Sequence, residues 1–256
     1  MGFLINLVLN LLFSIPPVRL ILFAVVPGLA LFFWIRKKDR LEPEPPKLLW
    51  TLFGLGALSI LPAMVLETGC LIALSRAVPE DSLLYRVLQM ILIVGFAEEG
   101  CKYLVMRRKT WRSAEFNCFY DAVVYSTAVS AGFAVAENIL YGVSYGTGVL
   151  TIRALTSIPG HICFGVMMGG LYGAAKKACL AGDAQRSRRF SWLSVVIPAL
   201  VHGGYDLAAS RIGEIFGILF ILYLLAMYFV IWYMVRRTSE NDHRLTAGNG
   251  PSGSRP

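Results

Sequence analysis

Residues 83–106 read LLYRVLQMILIVGFAEEGCKYLVM, an apolar run of membrane-spanning length that contains two glutamates and a lysine in its second half. At ~1.5 Å of rise per residue, about 20 apolar residues carry an α-helix across the hydrocarbon layer of a bilayer. Comparable runs occupy 20–35, 48–74, 119–143, 151–174, 191–209 and 213–235. The pattern predicts an all-α protein, a polytopic transmembrane helix bundle with about seven spans.

The composition of the whole chain agrees with this prediction. Hydrophobic residues make up 56% and charged residues 16% of the 256 residues, and the mean hydropathy is +0.62. These values are typical of a protein whose main solvent is lipid and exclude an ordinary soluble domain. We expect 1–237 to form one transmembrane domain and 238–256, which lacks apolar periodicity, to form a disordered cytoplasmic tail.

An apolar stretch at 3–13 is a possible eighth span. It is only about half as long as a bilayer-crossing helix, and it is followed by Pro16-Pro17, which cannot continue a regular helix. A re-entrant or interfacial helix is the competing interpretation of this stretch.

Positive charge is concentrated in alternate loops. The formal net charge is +8, and the lysines and arginines cluster at 36–47, 107–112, 176–189 and from 236 onward. Basic loops stay on the cytoplasmic side of a membrane. This distribution predicts a multi-pass cell-membrane protein with a cytoplasmic C-terminus, and it explains the positive charge without a nucleic-acid partner.

Several ionisable side chains fall inside the apolar runs. An Asp or Arg at the centre of a membrane helix costs roughly 2.5 kcal/mol or more, so such residues normally face one another or a polar cavity. A cavity inside the bundle explains the whole set, which comprises Glu67, Glu98, Glu99, Lys102, Glu137, His161, His202 and Asp206.

The third run places two carboxylates beside a lysine. Glu98 and Lys102 are four residues apart and therefore neighbours on one helix face, whereas Glu99 points about 100° away and has no such partner in its own turn. Adjacent carboxylates in different surroundings can divide the roles of acid and base. A structural salt bridge and the proton site of a transporter are the alternatives.

Two further helices contribute polar groups to the same cavity. Glu137 and Asn138 bring a carboxylate and a carboxamide from the fourth span. His202 and Asp206 are four residues apart in the sixth span, so the aspartate can accept a hydrogen bond from the imidazole and fix its tautomer. The glycines between them allow backbone or substrate to come close.

His161 lies on a glycine-lined helix face. Gly165, Gly169 and Gly173 follow it at four-residue intervals, and such a row of small residues lets a neighbouring helix pack closely. We therefore expect bundle packing along this face and a His161 side chain that points toward protein.

These residues form a set of motifs that resembles the PrsW family of intramembrane proteases. The resemblance runs from about residue 36 to residue 210, and four motifs in the same order make it specific. They are Asp39-Arg40-Leu41-Glu42-Pro43-Glu44-Pro45, Glu98-Glu99-x-x-Lys102, Phe133-x-x-x-Glu137-Asn138 and His202-x-x-x-Asp206.

The resemblance implies cleavage of a single-pass membrane protein, namely a membrane-anchored anti-sigma factor cut on its extracytoplasmic side. The family is similar to the CAAX-processing endopeptidases of membranes, in which paired glutamates and histidines hydrolyse a peptide bond within the bilayer. Glu137-Asn138 stands where those enzymes have a histidine, so individual roles do not transfer directly.

The motifs admit two hydrolytic mechanisms and one rival function. In a glutamic mechanism without a cofactor, Glu98 or Glu99 deprotonates water, His202 or Asn138 stabilises the oxyanion, and Lys102 holds the second carboxylate ionised. In a zinc mechanism, the ligands come from His161, His202, Glu99 and Glu137. An ion-coupled transporter is the rival. We favour the glutamic peptidase.

Overall fold

The computed structural model describes residues 16–210 and 214–245, and within these ranges the chain is helical apart from short loops and one isolated bridge between Cys118 and Arg244. The all-α bundle is thereby confirmed. Numbered in chain order, the helices are α1 (Pro16–Leu20, the π-helical Ile21–Val25, and Val26–Arg36), α2 (Pro46–Leu58), α3 (Ile60–Ala77), α4 (Leu83–Val87, the π-helical Leu88–Val94, and Gly95–Thr110), α5 (Asp121–Tyr145), α6 (Val149–Leu155), α7 (Ser157–Leu180), α8 (Ala184–Ala209) and α9 (Glu214–Glu240).

Most of the predicted spans correspond to apolar helices. In the described ranges, six helical stretches are long and apolar enough to cross a membrane: Pro17–Arg36, Pro46–Ala77, Asp121–Tyr145, Val149–Leu180, Ala184–Ala209 and Gly217–Glu240. The remaining predicted span, 83–106, corresponds to α4, which is helical throughout but carries more charge. The stretch 3–13 lies outside the described residues. The protein is a multi-pass membrane protein.

Helix α5 forms the centre of the bundle, and α2 and α7 pack along it. The glycine face predicted for α7 makes this contact. A Cβ atom at Gly169 would collide with the Ser126 side chain, and one at Gly165 would lie 2.6 Å from Oγ of Ser130. The prediction of close packing along this face is confirmed.

Helix α9 lies at the outside of the bundle. Only 17% of its most apolar window is buried, compared with 78% for α5, and large side chains such as Phe229 and Leu222 are exposed. In a membrane these side chains face lipid.

The last helix continues past the predicted domain boundary at residue 237 and ends at Glu240. Residues 241–245 then pack against the loop before α5, where Phe119 N–H donates to the carbonyl of His243 (3.0 Å). The rest of the predicted tail, 246–256, lies outside the described residues. The division into a transmembrane domain and a disordered tail stays a prediction.

Candidate active site

Four helices bring the predicted polar residues to one place in the bundle. Each helix contributes a short motif, and the motifs contact one another directly. The residues are Glu98, Glu99 and Lys102 on α4, Glu137 and Asn138 on α5, His161 on α7, and His202 and Asp206 on α8.

Close packing of α4 against α8 positions His202. A Cβ atom at Gly203 would come too close to the backbone of Ile91, in the π-helical part of α4, and one at Gly95 would collide with the carbonyl oxygen of Ala199. Only glycine fits such backbone contacts. The predicted close approach at the glycines after His202 is thus confirmed for Gly203, where the neighbour is protein backbone.

Lys102 is the central cation of the site. Its ammonium lies 2.7 Å from Oε1 of Glu99, 3.2 Å from Oε2 of Glu98 and 3.0 Å from Nδ1 of His161, and it stacks on the Phe133 ring at 3.9 Å. The side chain is fully buried. An ammonium has three donors, so all of them are used.

These contacts correct one prediction about the two glutamates. Glu98 contacts Lys102 as predicted, but Glu99 was expected to have no partner in its own turn, and this was wrong. Residues three apart are also neighbours on a helix, and Glu99 makes the shorter contact with the lysine. Its other oxygen, Oε2, is buried without a hydrogen-bond partner in the described chain.

His202 contacts three carboxylates. Its Nδ1 lies 3.0 Å from Oε1 of Glu99, while Nε2 lies 3.4 Å from Oδ2 of Asp206 and 3.8 Å from Oε2 of Glu98. The predicted proximity of His202 and Asp206 is confirmed. The close hydrogen-bond partner of the ring, however, is Glu99 and not Asp206, because the α4–α8 contact places Glu99 beside Nδ1.

A second series of hydrogen bonds begins at the other ring nitrogen of His161. Since Nδ1 accepts from Lys102, Nε2 carries the proton and donates to Oε2 of Glu137 (2.8 Å). Arg153 donates to the same Glu137 oxygen (2.7 Å) and to Oδ1 of Asn138 (2.6 Å). Glu137 and Asn138 are therefore held by one guanidinium.

Sequence reasoning missed Arg153. It lies in α6, and the chain breaks at Thr156 between α6 and α7. This break lets the guanidinium contact α5. The available signal was an arginine within the apolar run 151–174, although its position near the end of a span is also typical of a side chain that reaches toward the membrane surface.

A cavity of about 570 Å³ gives access to part of this network. Glu98, Glu137, His202 and Asp206 line it, together with Glu67 on α3. The Glu137 and Asp206 side chains are 17% and 23% exposed, whereas those of Glu99 and Lys102 are fully buried. The network thus has a sealed part around Lys102 and an accessible part at the cavity.

The donor set suits a divalent metal in kind but not in arrangement. Nitrogen or oxygen atoms of Glu98, Glu99, His161 and His202 lie within 4.8 Å of one another, and histidine with carboxylate is a common zinc set. The Lys102 ammonium, however, contacts three of these four residues. Glu137, predicted as a ligand, instead lies on the far side of His161. A metal ion does not fit this group while Lys102 occupies it.

Comparison with known proteins indicates the same family as the sequence motifs. The family model described as "PrsW family intramembrane metalloprotease" matches residues 44–234. No solved structure matches the chain significantly.

Curated relatives from several bacteria bear the name Protease PrsW. That of Bacillus subtilis is 31% identical over 84% of this chain and 92% of its own length. The Geobacillus kaustophilus protein is 32% identical over 84% and 89%, and the Clostridioides difficile protein 30% over 90% and 95%. With motifs, fold and site in agreement, the chain belongs to the PrsW family of intramembrane proteases.

Proposed function

We propose that this intramembrane protease cleaves a single-pass membrane protein by a glutamic mechanism in which Glu98 activates water. By the family resemblance, the substrate is a membrane-anchored anti-sigma factor. The relatives carry the name of a protease, so a transporter is not favoured.

The observation that supports this assignment is the different environment of the two adjacent glutamates. Glu98 lines the cavity, and its contact with Lys102 is the longer one, at 3.2 Å. Glu99 is fully buried and held by both Lys102 and His202. Water in the cavity can reach Glu98, whereas Glu99 serves to position its two partners.

The proposed reaction uses groups that face the cavity. Glu98 takes a proton as the water oxygen bonds to the scissile carbonyl carbon. Nε2 of His202 lies between Glu98 and Asp206 and donates to the oxyanion that forms. When the C–N bond breaks, the protonated Glu98 returns its proton to the departing amine, which restores the carboxylate.

A membrane-anchored substrate would enter the cavity beside α3 and α4. Met64 on α3 and Met90 on α4 both border the cavity, and Met64 is exposed on the outer surface. The proposed point of entry for a substrate segment in lipid is therefore the exposed Met64 side of the cavity. On the predicted topology, the cavity opens toward the extracytoplasmic side.

The test is cleavage of a single-pass anti-sigma substrate by purified protein in proteoliposomes, with and without exhaustive chelation. We expect cleavage that survives the chelator and disappears in Glu98→Gln. Cleavage that needs one tightly bound zinc ion per chain would replace the glutamic mechanism with a metal mechanism. Ion-dependent uptake without cleavage would contradict the proteolytic function.

A further inference from the structure

A second cluster of buried carboxylates lies far from the active site. It is formed by Asp39 and Glu44 from the loop between α1 and α2, and by Asp121 at the start of α5. Glu137 is sixteen residues further along α5, which corresponds to ~24 Å at 1.5 Å per residue. The two clusters therefore lie well apart along the central helix, with the carboxylate cluster at its start.

The three carboxyl groups are close together and shielded from solvent. One oxygen of each lies within 4.8 Å of the others, and the residues are 6% (Asp39), 3% (Glu44) and 0% (Asp121) exposed. None of the ion pairs in the described ranges joins a lysine or arginine to any of the three. Carboxylates packed in this way are tolerated only with a bound cation or with protons.

The oxygen atoms that have no partner point to a ligand. Both carboxyl oxygens of Asp39 and Oδ1 of Asp121 are buried without a hydrogen bond to any described residue. The Glu44 backbone N–H lies near Asp39 but does not reach good hydrogen-bond geometry. Buried polar atoms are normally satisfied, so such exceptions indicate a bound species.

The remaining oxygens are held in place by protein. The Tyr125 hydroxyl donates to Oε2 of Glu44 (2.6 Å). The backbone N–H groups of Asn117 and Cys118 donate to Oδ2 of Asp121 at 2.9 and 2.6 Å. These bonds orient the side chains and leave Asp39 and one oxygen of Asp121 free for a ligand.

We propose that Asp39, Glu44 and Asp121 bind one hard divalent cation, Mg²⁺ or Ca²⁺, where the α1–α2 loop meets the start of α5. Both ions take oxygen ligands, at ~2.1 Å for Mg²⁺ and ~2.3–2.6 Å for Ca²⁺. Two oxygens on opposite sides of one such ion are about 4.2–5.2 Å apart, which agrees with the 4.8 Å limit of the cluster.

Protons are the competing occupants of this cluster. Burial and the neighbouring Asp242 raise the pKa of Asp39 to about 6, and burial raises the pKa of Glu44 to about 9. The Glu44 and Asp121 carboxyls are close enough to share a proton. If a cation occupies the cluster, the protein binds a divalent metal there, and if protons occupy it, the protein does not. The experiment below distinguishes these two cases.

The segment after α9 packs beside this cluster. Asp242, which follows α9, accepts from the Tyr120 N–H (2.9 Å) and places its buried Oδ2 without a partner near the cluster. The Ser239 hydroxyl bonds the carbonyl of Lys38 in the first loop. The cation would fasten the first loop to the start of α5, at the place where the segment after α9 packs against both.

The experiment uses the full chain in lipid nanodiscs, stripped with EDTA and titrated with Mn²⁺ by electron paramagnetic resonance. Glu98→Gln/Glu99→Gln serves as the parent, so that Mn²⁺ bound at the active site is not counted. Asp39→Asn removes one ligand charge. Glu42→Gln, in the same loop but half-exposed and paired with Arg244, is the matched control.

We expect one saturable Mn²⁺ per chain in the parent and in Glu42→Gln, displaced by Mg²⁺ or Ca²⁺, and the more effective competitor identifies the preferred ion. Asp39→Asn should bind Mn²⁺ at least about tenfold more weakly, because ligand charge sets affinity in such sites. If the parent showed no saturable Mn²⁺ binding, or if Asp39→Asn bound Mn²⁺ as tightly as the parent, the proposal would be overturned and protons would be the occupants.

Thermal unfolding provides the second measurement. In EDTA, the Tm of Asp39→Asn should be no lower than that of the parent. The substitution removes the charge of a carboxylate whose two oxygens have no hydrogen-bond partner in the described chain. On addition of Mg²⁺ or Ca²⁺, the Tm of the parent should rise while that of Asp39→Asn stays unchanged. A Tm of Asp39→Asn far below that of the parent in EDTA would refute the premise that the carboxylate lacks partners.

Discussion

Nδ1 of His202 lies 3.0 Å from Oε1 of Glu99, whereas Asp206 approaches the other ring nitrogen at 3.4 Å. Glu99, in the sealed part of the network, thus holds Nδ1 of the ring, while Nε2 faces the cavity beside Asp206. His202→Ala should abolish cleavage, while Asp206→Asn should leave partial activity, since the amide oxygen remains a hydrogen-bond acceptor. Normal cleavage by His202→Ala at wild-type abundance would remove the histidine from the chemistry.

The two adjacent glutamates should differ in how their loss affects the protein. Glu98→Gln should lower kcat by at least about a hundredfold, as expected when a general base is removed, with little change in Tm. Glu99→Gln should lower both activity and Tm, because Lys102 and His202 lose a shared partner. Glu80→Gln, in the exposed loop after α3, is the control. Full activity in both variants would exclude them from catalysis.

Lys102 should be essential for folding as much as for activity. Lys102→Met leaves two buried carboxylates without a cation, and breaking a buried pair costs ~3–5 kcal/mol. Adding Glu99→Gln removes one of these charges, so the double variant should unfold at a higher temperature than Lys102→Met alone. If the Tm loss of the double variant equalled the sum of the losses of Lys102→Met and Glu99→Gln, the two side chains would not be coupled.

Arg153 should position Glu137 and Asn138. Arg153→Ala should reduce cleavage by about a hundredfold, the effect of a small misplacement of active-site groups, and Arg153→Lys should recover only part, because lysine lacks the two-pronged guanidinium. Arg76→Ala, an exposed arginine at the end of α3, is the control. Equal activity of the lysine and alanine variants would limit Arg153 to a role unrelated to its two-pronged contact.

The orientation in the membrane can be tested with introduced cysteines. After replacement of the five native cysteines, Lys47→Cys, Arg112→Cys and Arg186→Cys should resist an impermeant thiol reagent in intact cells, since basic loops are retained inside. Glu80→Cys and Thr147→Cys should be labelled. Labelling of any of the first three from outside would refute the predicted orientation.

Much of the architecture was predictable because the bilayer imposes a simple rule on helix length. The same rule makes Glu98, Glu137 and His202 conspicuous, since charge in an apolar run needs a partner. The pairing itself was less predictable. Whether Lys102 favours the residue three or four positions before it depends on side-chain rotamers and on what α7 and α8 place nearby.

Contacts that depend on breaks and loops were beyond sequence reasoning. Arg153 reaches Glu137 only because the chain bends at Thr156. Asp39 and Asp121 meet through packing between segments about eighty residues apart, which no helical or strand periodicity encodes. The acidic loop motif was visible in the sequence, but its partner on α5 was not.

The contrast between α5 and α9 has a consequence for biogenesis. The mean hydropathy of the most apolar window is 1.3 in α5 and 2.4 in α9. A nascent α9 partitions into lipid on its own, whereas α5, rich in small and hydroxyl side chains, gains less from lipid and depends on helix–helix contacts. Of the two helices that pack along α5, α2 is synthesised before it and α7 after it. The catalytic centre is therefore retained in the bilayer by one helix that is already present when α5 emerges and by one that follows it.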